Sequence, residues 1–180
     1  MSLYKLFTQI KDPRRKEGQR TKLPQMFCMI TISNLCGYFG GRPIARFAKV
    51  HNEIFISELK LKHGTPSHVT FSDILNRVDS KELIQAFNKW ASDYVLIEKG
   101  DHVSGDGKAL ASTVSDKHGS GQNFEAVVSM FCQESGLIRA IEQYQNNKES
   151  EINVVRFLIK HLSSKGMVFH LDALHTQKKQ

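Results

Sequence analysis

The spacing of apolar residues changes at Gly100, and that change restricts the chain to a helical segment joined to a strand-bearing one. Before it, Phe71, Ile74, Leu75 and Val78 fall at i, i+3, i+4 and i+7, which predicts a helix capped by Ser67 after Pro66. Asp79 followed by Glu82 is a variant of the capping box, and Leu83, Phe87, Trp90, Ala91 and Tyr94 line one side of a long helix that ends at Glu98 to Gly100. Further upstream, Pro24 opens a helix that runs to Cys36 before Gly37. Gly40, Gly41 and Pro43 then mark the entry to a second, shorter helix.

After Gly100 the pattern is that of strands. Asp101 to Asp106 predicts a short one, and Phe124 to Cys132 sets Phe124, Ala126, Val128, Met130 and Cys132 on one face. Leu137 to Gln143 pairs back across Gln133-Glu134-Ser135-Gly136 as an antiparallel hairpin. Ile152, Val155, Ile159 and Leu162 recur at helical spacing, and Gly166 stops that helix. Met167 to Leu171 is a continuous apolar run of the kind found in strands covered on both faces. A right-handed crossover through the helix would lay this last strand parallel to an earlier one. The expected class is α+β: a helical domain over residues 1–99, then a mixed sheet over 100–180 in the order strand, strand, strand, helix, strand.

With 180 residues, 40% of them apolar, the chain can bury a proper core. Its formal charge of +7 is unevenly held: residues 1–99 carry 16 Lys and Arg against 9 Asp and Glu, and residues 100–180 carry 9 against 9. Solubility alone explains the charge but not its segregation. A basic half joined to a neutral, carboxylate-bearing half suits a protein of which one part holds a polyanion and the other works on it. Cys28, Cys36 and Cys132 are odd in number, sit in apolar surroundings and lack metal-ligand spacing, so they are expected to be reduced core residues of a cytoplasmic protein without a zinc site. The most apolar stretch, Leu23 to Phe39, is interrupted by Gln25, Ser33 and Asn34 and falls short of the ~20 residues that cross a bilayer. The first residues lack the pattern of an export signal.

Two aspartates are the candidates for chemistry. Asp172 directly follows the last apolar run and so lies at the carboxyl end of a strand, where open sheets place their ligands; a capping or turn aspartate is the alternative. Asp106 stands in Gly105-Asp106-Gly107-Lys108, where the glycines leave room for a backbone or phosphate to approach and Lys108 adds a point charge for an anion. Asp-Gly is also the commonest hairpin-turn signal.

Taken in order, Asp12-Pro13-Arg14-Arg15, Pro66-Ser67-His68-Val69-Thr70-Phe71-Ser72, Asp106-Gly107-Lys108, Lys148 with Glu151-Ile152, and Asp172-Ala173-Leu174-His175-Thr176-Gln177 resemble the insertion-sequence transposases of the DDE class, in the branch of the H-repeat-associated proteins. The resemblance implies an RNase H-like catalytic core preceded by a helical domain associated with these transposases. It matches Asp106 to the first acidic residue, on the first core strand, and Asp172 to the second, on the adjacent fourth strand. The third, a glutamate on a helix well downstream, has no counterpart, so the chain matches the front part of the family. The implied cofactor is Mg²⁺ or Mn²⁺ shared by Asp106 and Asp172: two ionised carboxylates a few ångströms apart repel, and a divalent cation relieves that repulsion while accepting their oxygens. Two such ions, ~3.5–4 Å apart, would activate a water or a 3′-hydroxyl and stabilise the leaving oxygen of a DNA phosphodiester. With one acidic ligand missing, feeble catalysis or none is expected of this chain alone. An RNase H-like sheet normally gains cover from helices after its fourth strand, so Met167 to Leu171 is also expected to be open on one face or covered by a partner.

The expected DNA contacts are Arg14, Arg15, Lys16, Arg20 and Lys22, with Lys11 in the same basic segment, and Lys108 beside Asp106. A solvated arm is the alternative for that segment, and the resemblance tips it toward DNA, namely insertion-sequence ends. Helices around Arg42 to Val50 and Ser67 to Val78 form a candidate helix-turn-helix with His68, Thr70, Ser72, Asn76 and Arg77 outward. His170 and His175 flank Asp172 and are read as packing or hydrogen-bonding residues before accessory metal or phosphate contacts. His161 is read as a helix-face residue, and Lys148 with Glu151 as a salt bridge or cap. Three functional readings stand: the first is a fragment of a metal-dependent DNA cleavage and strand-transfer protein, nucleoid-associated when bound to DNA, and the second a non-catalytic DNA-binding or self-associating regulator of an intact transposase. A decayed remnant is the third.

Overall fold

The computed structural model describes residues 2–110, 113–114, 123–162 and 166–172. Among them are seven α-helices and a four-stranded mixed sheet, so the class is α+β. The chain divides into two units, Met1–Ala86 and Phe87–Gln180, with the division inside the sixth helix.

In the first unit α1 (Leu3–Phe7) leads through a 3-10 turn (Lys16–Gly18) to α2 (Leu23–Leu35), α3 (Gly41–Val50), α4 (Asn52–Leu59), α5 (His68–Arg77) and the start of α6 (Ser80–Tyr94). Helix α2 buries Leu23, Met26, Phe27, Met29 and Ile30, and the Phe27 ring stacks on Phe7 with centroids 5.0 Å apart. Its start is closed by the Lys22 N–H donating to Gln25 Oε1 at 2.8 Å; Gln25 Nε2 donates in turn to the Leu59 carbonyl at 2.8 Å, so one buried side chain also serves the end of α4. Helices α3 and α5 approach so closely at Gly41 that a Cβ there would collide with Ser72 Oγ. Ser72 therefore faces α3 and not solvent. The expected helix-turn-helix is not formed, because α4 stands between α3 and α5 where that motif has only a short turn. The sequence reading passes over α1 and α4, whose 5 and 8 residues give too few turns for a clear period.

The chain between α1 and α2 is gathered around one guanidinium. Arg14 donates from Nε to Asp12 Oδ1 at 3.0 Å, from Nη2 to Asp12 Oδ2 at 2.7 Å and to the Thr21 carbonyl at 2.8 Å, and from Nη1 to the Gly18 carbonyl at 3.1 Å. Its side chain is only 4% exposed. Burial pushes the Asp12 carboxyl up, but the hydrogen bonds and charge of Arg14 outweigh it and hold Asp12 below the usual carboxylate range. Asp79 caps α6 through its Oδ1 and the Lys81 N–H at 2.8 Å, as expected. Glu82 does not close a reciprocal box; its carboxylate accepts the Lys11 N–H at 2.8 Å.

The second unit is built on the sheet β3-β2-β1-β4, formed by β1 (His102–Ala109), β2 (Glu125–Cys132), β3 (Leu137–Gln145) and β4 (Val168–His170), with α7 (Glu151–Leu162) between the last two strands. Strands β1, β2 and β3 are successively antiparallel, and β4 runs parallel to β1. The core is one face of the sheet, with Val103, Ala126, Val128, Met130, Ala140 and Tyr144 against Val154, Val155, Leu158 and Leu162 of α7. On the outer edge strand, the Asn88 side chain stands in for a neighbouring strand: its Nδ2 donates to the Ile141 carbonyl and its Oδ1 accepts the Ile141 N–H, both at 2.8 Å.

Three expectations are corrected here. Strand β1 does not stop at Asp106 but continues to Ala109, pairing Asp106 with Ser129, so Asp106-Gly107 is not a hairpin turn. Strand β4 is covered on one face only, which corrects the reading of a strand covered on both faces and agrees with the expectation that one face is open: Met167, Phe169 and Leu171 join the core, whereas Val168 is 43% exposed and His170 is exposed, because α7 packs on one side of the sheet. Cys36 is exposed and not a core residue, since it lies past the end of α2 where Gly37 turns the chain at φ +84; Cys132 is buried, and burial pushes the half-buried Cys28 thiol up.

Removing Arg14 leaves Asp12 charged and half-buried and frees two loop carbonyls, so Arg14→Ala is expected to lower unfolding stability by about 3 kcal/mol in urea titrations. Because the Asp12 carboxyl is depressed in the folded state, its contribution is fully present above its unfolded value of about 4 and is lost as the pH falls through the folded value. In urea titrations taken from about pH 6 down to about pH 2, Asp12→Asn is expected to be less stable than wild type at the upper end and to converge with it at the lower end.

Candidate metal centre

Alternation along β1 sorts its side chains into two sets. Val103, Gly105 and Gly107 face α7; His102, Ser104, Asp106 and Lys108 face the other way. The glycines on either side of Asp106 serve the α7 side. A Cβ on Gly105 would come within 2.8 Å of Leu171 Cδ2 and 3.2 Å of Met130 Sδ, and one on Gly107 would collide with the Glu151 carboxylate. The room they leave is filled by the protein itself, which corrects the expectation that it admits a phosphate or a foreign backbone.

The parallel pairing sets the second aspartate. His102, Val103 and Ser104 stand beside Val168, Phe169 and His170, a constant offset of 66 residues. Continued past His170, the same offset carries Leu171 to Gly105 and Asp172 to Asp106. The close approach of Leu171 Cδ2 to Gly105 supports the continuation as far as Leu171. Leu171, one residue past the end of β4, packs toward the core. Neighbouring strands lie ~4.8 Å apart. Both aspartates are exposed.

Around them the same face holds polar groups. His170 Nε2 and His102 Nδ1 are 2.6 Å apart with their rings stacked at 4.9 Å, so His170 ties β4 to β1. Ser104 Oγ accepts from Gln133 Nε2 at 2.6 Å. Lys108, two residues beyond Asp106, is exposed on that face. Glu151 lies on the opposite one: besides meeting Gly107 it accepts from Tyr144 Oη at 3.4 Å, and the Tyr144 hydroxyl is pushed up by burial first and by the Glu151 charge second. The His161 ring lies tilted against Phe157 along α7, in keeping with a helix-face residue. His175, with the rest of the motif after Asp172, lies outside the described residues.

A second group of ligand atoms, which the sequence reading passes over, sits near the start of β1. Carboxylate oxygens of Asp101 and Glu134 and the Cys132 thiol lie within 4.8 Å of one another. Their hydrogen bonds are structural: Glu134 accepts the His102 N–H at 2.8 Å, Cys132 Sγ donates to Glu134 at 3.5 Å, and Asp101 accepts the Glu98 N–H at 2.8 Å. The His102 N–H is the main cause that holds the Glu134 carboxyl below its usual range. At ~3.3 Å per residue, the five steps from Asp101 to Asp106 put this group roughly 16 Å away along the strand.

Of the basic residues expected to meet DNA, Lys11, Arg15, Lys16, Arg20 and Lys22 are exposed, while Arg14 is turned inward on Asp12 and loop carbonyls and has no face left for a phosphate. Among the residues of the expected helix pair, His68 and Asn76 are exposed, and Arg77 pairs with Asp73 at 3.2 Å and donates to the Pro13 carbonyl. No helix among the described residues is long and apolar enough to cross a membrane.

Comparison with known proteins gives a consistent result. Residues 4–91 match the model of the DDE_Tnp_1-associated domain. The whole chain is similar to the H repeat-associated putative transposases YbfD and YhhI of Escherichia coli (strain K12), at 25% identity over 182 residues and 24% over 183, in each case across 99% of this chain. It is also 24% identical over 177 residues, 96% of its length, to the uncharacterized protein in the dhlA 3′ region of Xanthobacter autotrophicus. The chain spans 70% of YbfD, 58% of the Xanthobacter protein and 47% of YhhI. No solved structure matches it.

Filling the space that Leu171 occupies beside Gly105 should loosen the segment that carries Asp172. Gly105→Val is expected to lower stability by about 1–3 kcal/mol, and hydrogen exchange should show faster opening at Val168 to His170 than elsewhere in the sheet. Unchanged exchange there would mean that β4 does not depend on this packing.

Proposed function

We propose a function from one premise: the chain belongs to the insertion-sequence transposases, in the branch of the H repeat-associated proteins. The second unit is then the front of an RNase H-like catalytic core, and Asp106 and Asp172 are two of its metal-binding carboxylates. The observation that carries this is the constant offset of 66 between β1 and β4 from His102 and Val168 to Ser104 and His170; extended two residues further, it would set Asp172 beside Asp106.

The donor set fits Mg²⁺ or Mn²⁺. Both ions take hard oxygen ligands, and two carboxylates side by side on an open sheet face supply them while leaving positions for a substrate. A divalent cation held there supplies Lewis-acid polarisation of a DNA phosphodiester and charge stabilisation at its departing oxygen. The chain's own groups do the rest: Asp106 and Asp172 set where a phosphate can be presented, Lys108 draws its charge to the same face, and the His102–His170 pair keeps β4 in register with β1. Two carboxylates are a sparse set for this chemistry, so feeble cleavage or none is expected of this chain by itself. A second reading, DNA binding without cleavage, is favoured by the excess of 16 basic over 9 acidic residues in 1–99.

Two measurements test the metal reading. Mn²⁺ should raise the melting temperature of the wild-type chain and leave Asp106→Ala and Asp172→Ala unmoved. With labelled duplex DNA and Mn²⁺, any nicking should fall by about 100-fold or more in both variants. Equal metal response and equal nicking in all three proteins would exclude these aspartates from the chemistry.

A further inference from the structure

We infer that the groove between α3 and the loop entering α5 binds the phosphate backbone of duplex DNA through Arg42, Arg46 and Lys49, with His68 at its far wall. This rests on the reading of the chain as a DNA-acting protein and names a surface for it that is separate from the basic segment before α2.

The spacing comes first. Arg42, Arg46 and Lys49 fall at i, i+4 and i+7 of α3, one stripe on the side away from the buried Ile44 and Ala48. All three are exposed, and none makes an ion pair among the described residues. They line an open groove of about 860 Å³ whose walls include no carboxylate. Seven residues of helix span ~10 Å, and successive phosphates on one DNA strand advance ~3.4 Å, so the row can face about three phosphates. A single small anion would need converging donors; a row of three separated cations suits a polyanion.

The opposite wall is held in place. Thr65 donates from both its N–H and its Oγ1 to Asn52 Oδ1 at 3.1 Å, and Gly64 takes a left-handed φ of +71 that other residues resist. Ser67, at the cap position of α5, makes no side-chain cap bond to that helix, so its first-turn N–H groups add to the positive potential on this side. On the far side of the 64–67 loop a second hollow is lined by Arg20 and by Glu17, so the carboxylate-free wall is the one on the α3 side.

The test is fluorescence polarisation of a labelled mixed-sequence duplex with the full chain, over salt from about 50 to 300 mM. Arg42→Ala/Arg46→Ala/Lys49→Ala should bind at least tenfold more weakly at low salt and flatten the slope of log affinity against log salt by about 2.7, that is ~0.9 for each lost phosphate contact. Arg42→Lys/Arg46→Lys should keep the wild-type slope, since it keeps the charge. Ala, Lys and Arg are all good helix formers, and circular dichroism checks that α3 persists; if the triple variant loses helicity, Arg46→Glu alone decides by the same slope. Wild-type affinity and slope in the charge-removing variants would overturn the groove while leaving DNA binding itself standing. A wild-type chain with no salt-dependent binding would overturn both.

Discussion

The parallel pairing of β4 with β1 is the constraint on which the second unit depends. Two antiparallel steps bring β3 back to the direction of β1, so the chain must cross the sheet before it can add another strand parallel to β1. Helix α7 makes that crossing, and its apolar stripe of Val154, Val155, Leu158 and Leu162 covers the face it passes over. The pairing is short, at three residues, and is secured on both sides of the sheet. On the core side Leu171 fills the space over Gly105; on the open side His170 meets His102. The proposed metal centre inherits its geometry from these two contacts, since Asp172 follows directly from the one and lies two residues from the other.

Placing the core on a single face has a second effect. The residues at alternate positions of β1 and β4 on the other face are left polar or exposed: His102, Ser104, Asp106, Lys108, Val168 and His170. Carboxylates placed there keep their hydration, which a cation can replace. In the first unit the same physics separates two kinds of basic residue. Arg14 is buried, fully hydrogen-bonded and paired with Asp12, where it orders a loop. Arg42, Arg46 and Lys49 keep their heads in water and leave their charge available.

Much of this was legible in the chain. The long α6, the hairpin of β2 and β3 and the α7–β4 step all follow from apolar periodicity, because each has one clear buried face. The motif order around Asp106 and Asp172 carries the resemblance to the DDE transposases. What was not legible had local causes. Helices α1 and α4 are too short to show a period. Asp106-Gly107 carries a turn signature, yet Gly107 is a glycine because Glu151 from α7 lies against it, a contact between residues 44 positions apart. Arg14 looked like its neighbours Arg15 and Lys16, and nothing in the segment marks which of them faces inward.

By itself the sequence determined most of the longer elements and the chemistry at hand: which of those stretches are helix or strand, where charge accumulates, and which two aspartates the family resemblance singles out. Those follow from nearest-neighbour preferences and from the period of burial, both of which are local. Only the tertiary structure decided which side each of these residues faces and which lie together. Register between β1 and β4, the collision that requires Gly41, and the inward turn of Arg14 are all set by packing between distant segments, and packing depends on volumes that no local pattern encodes.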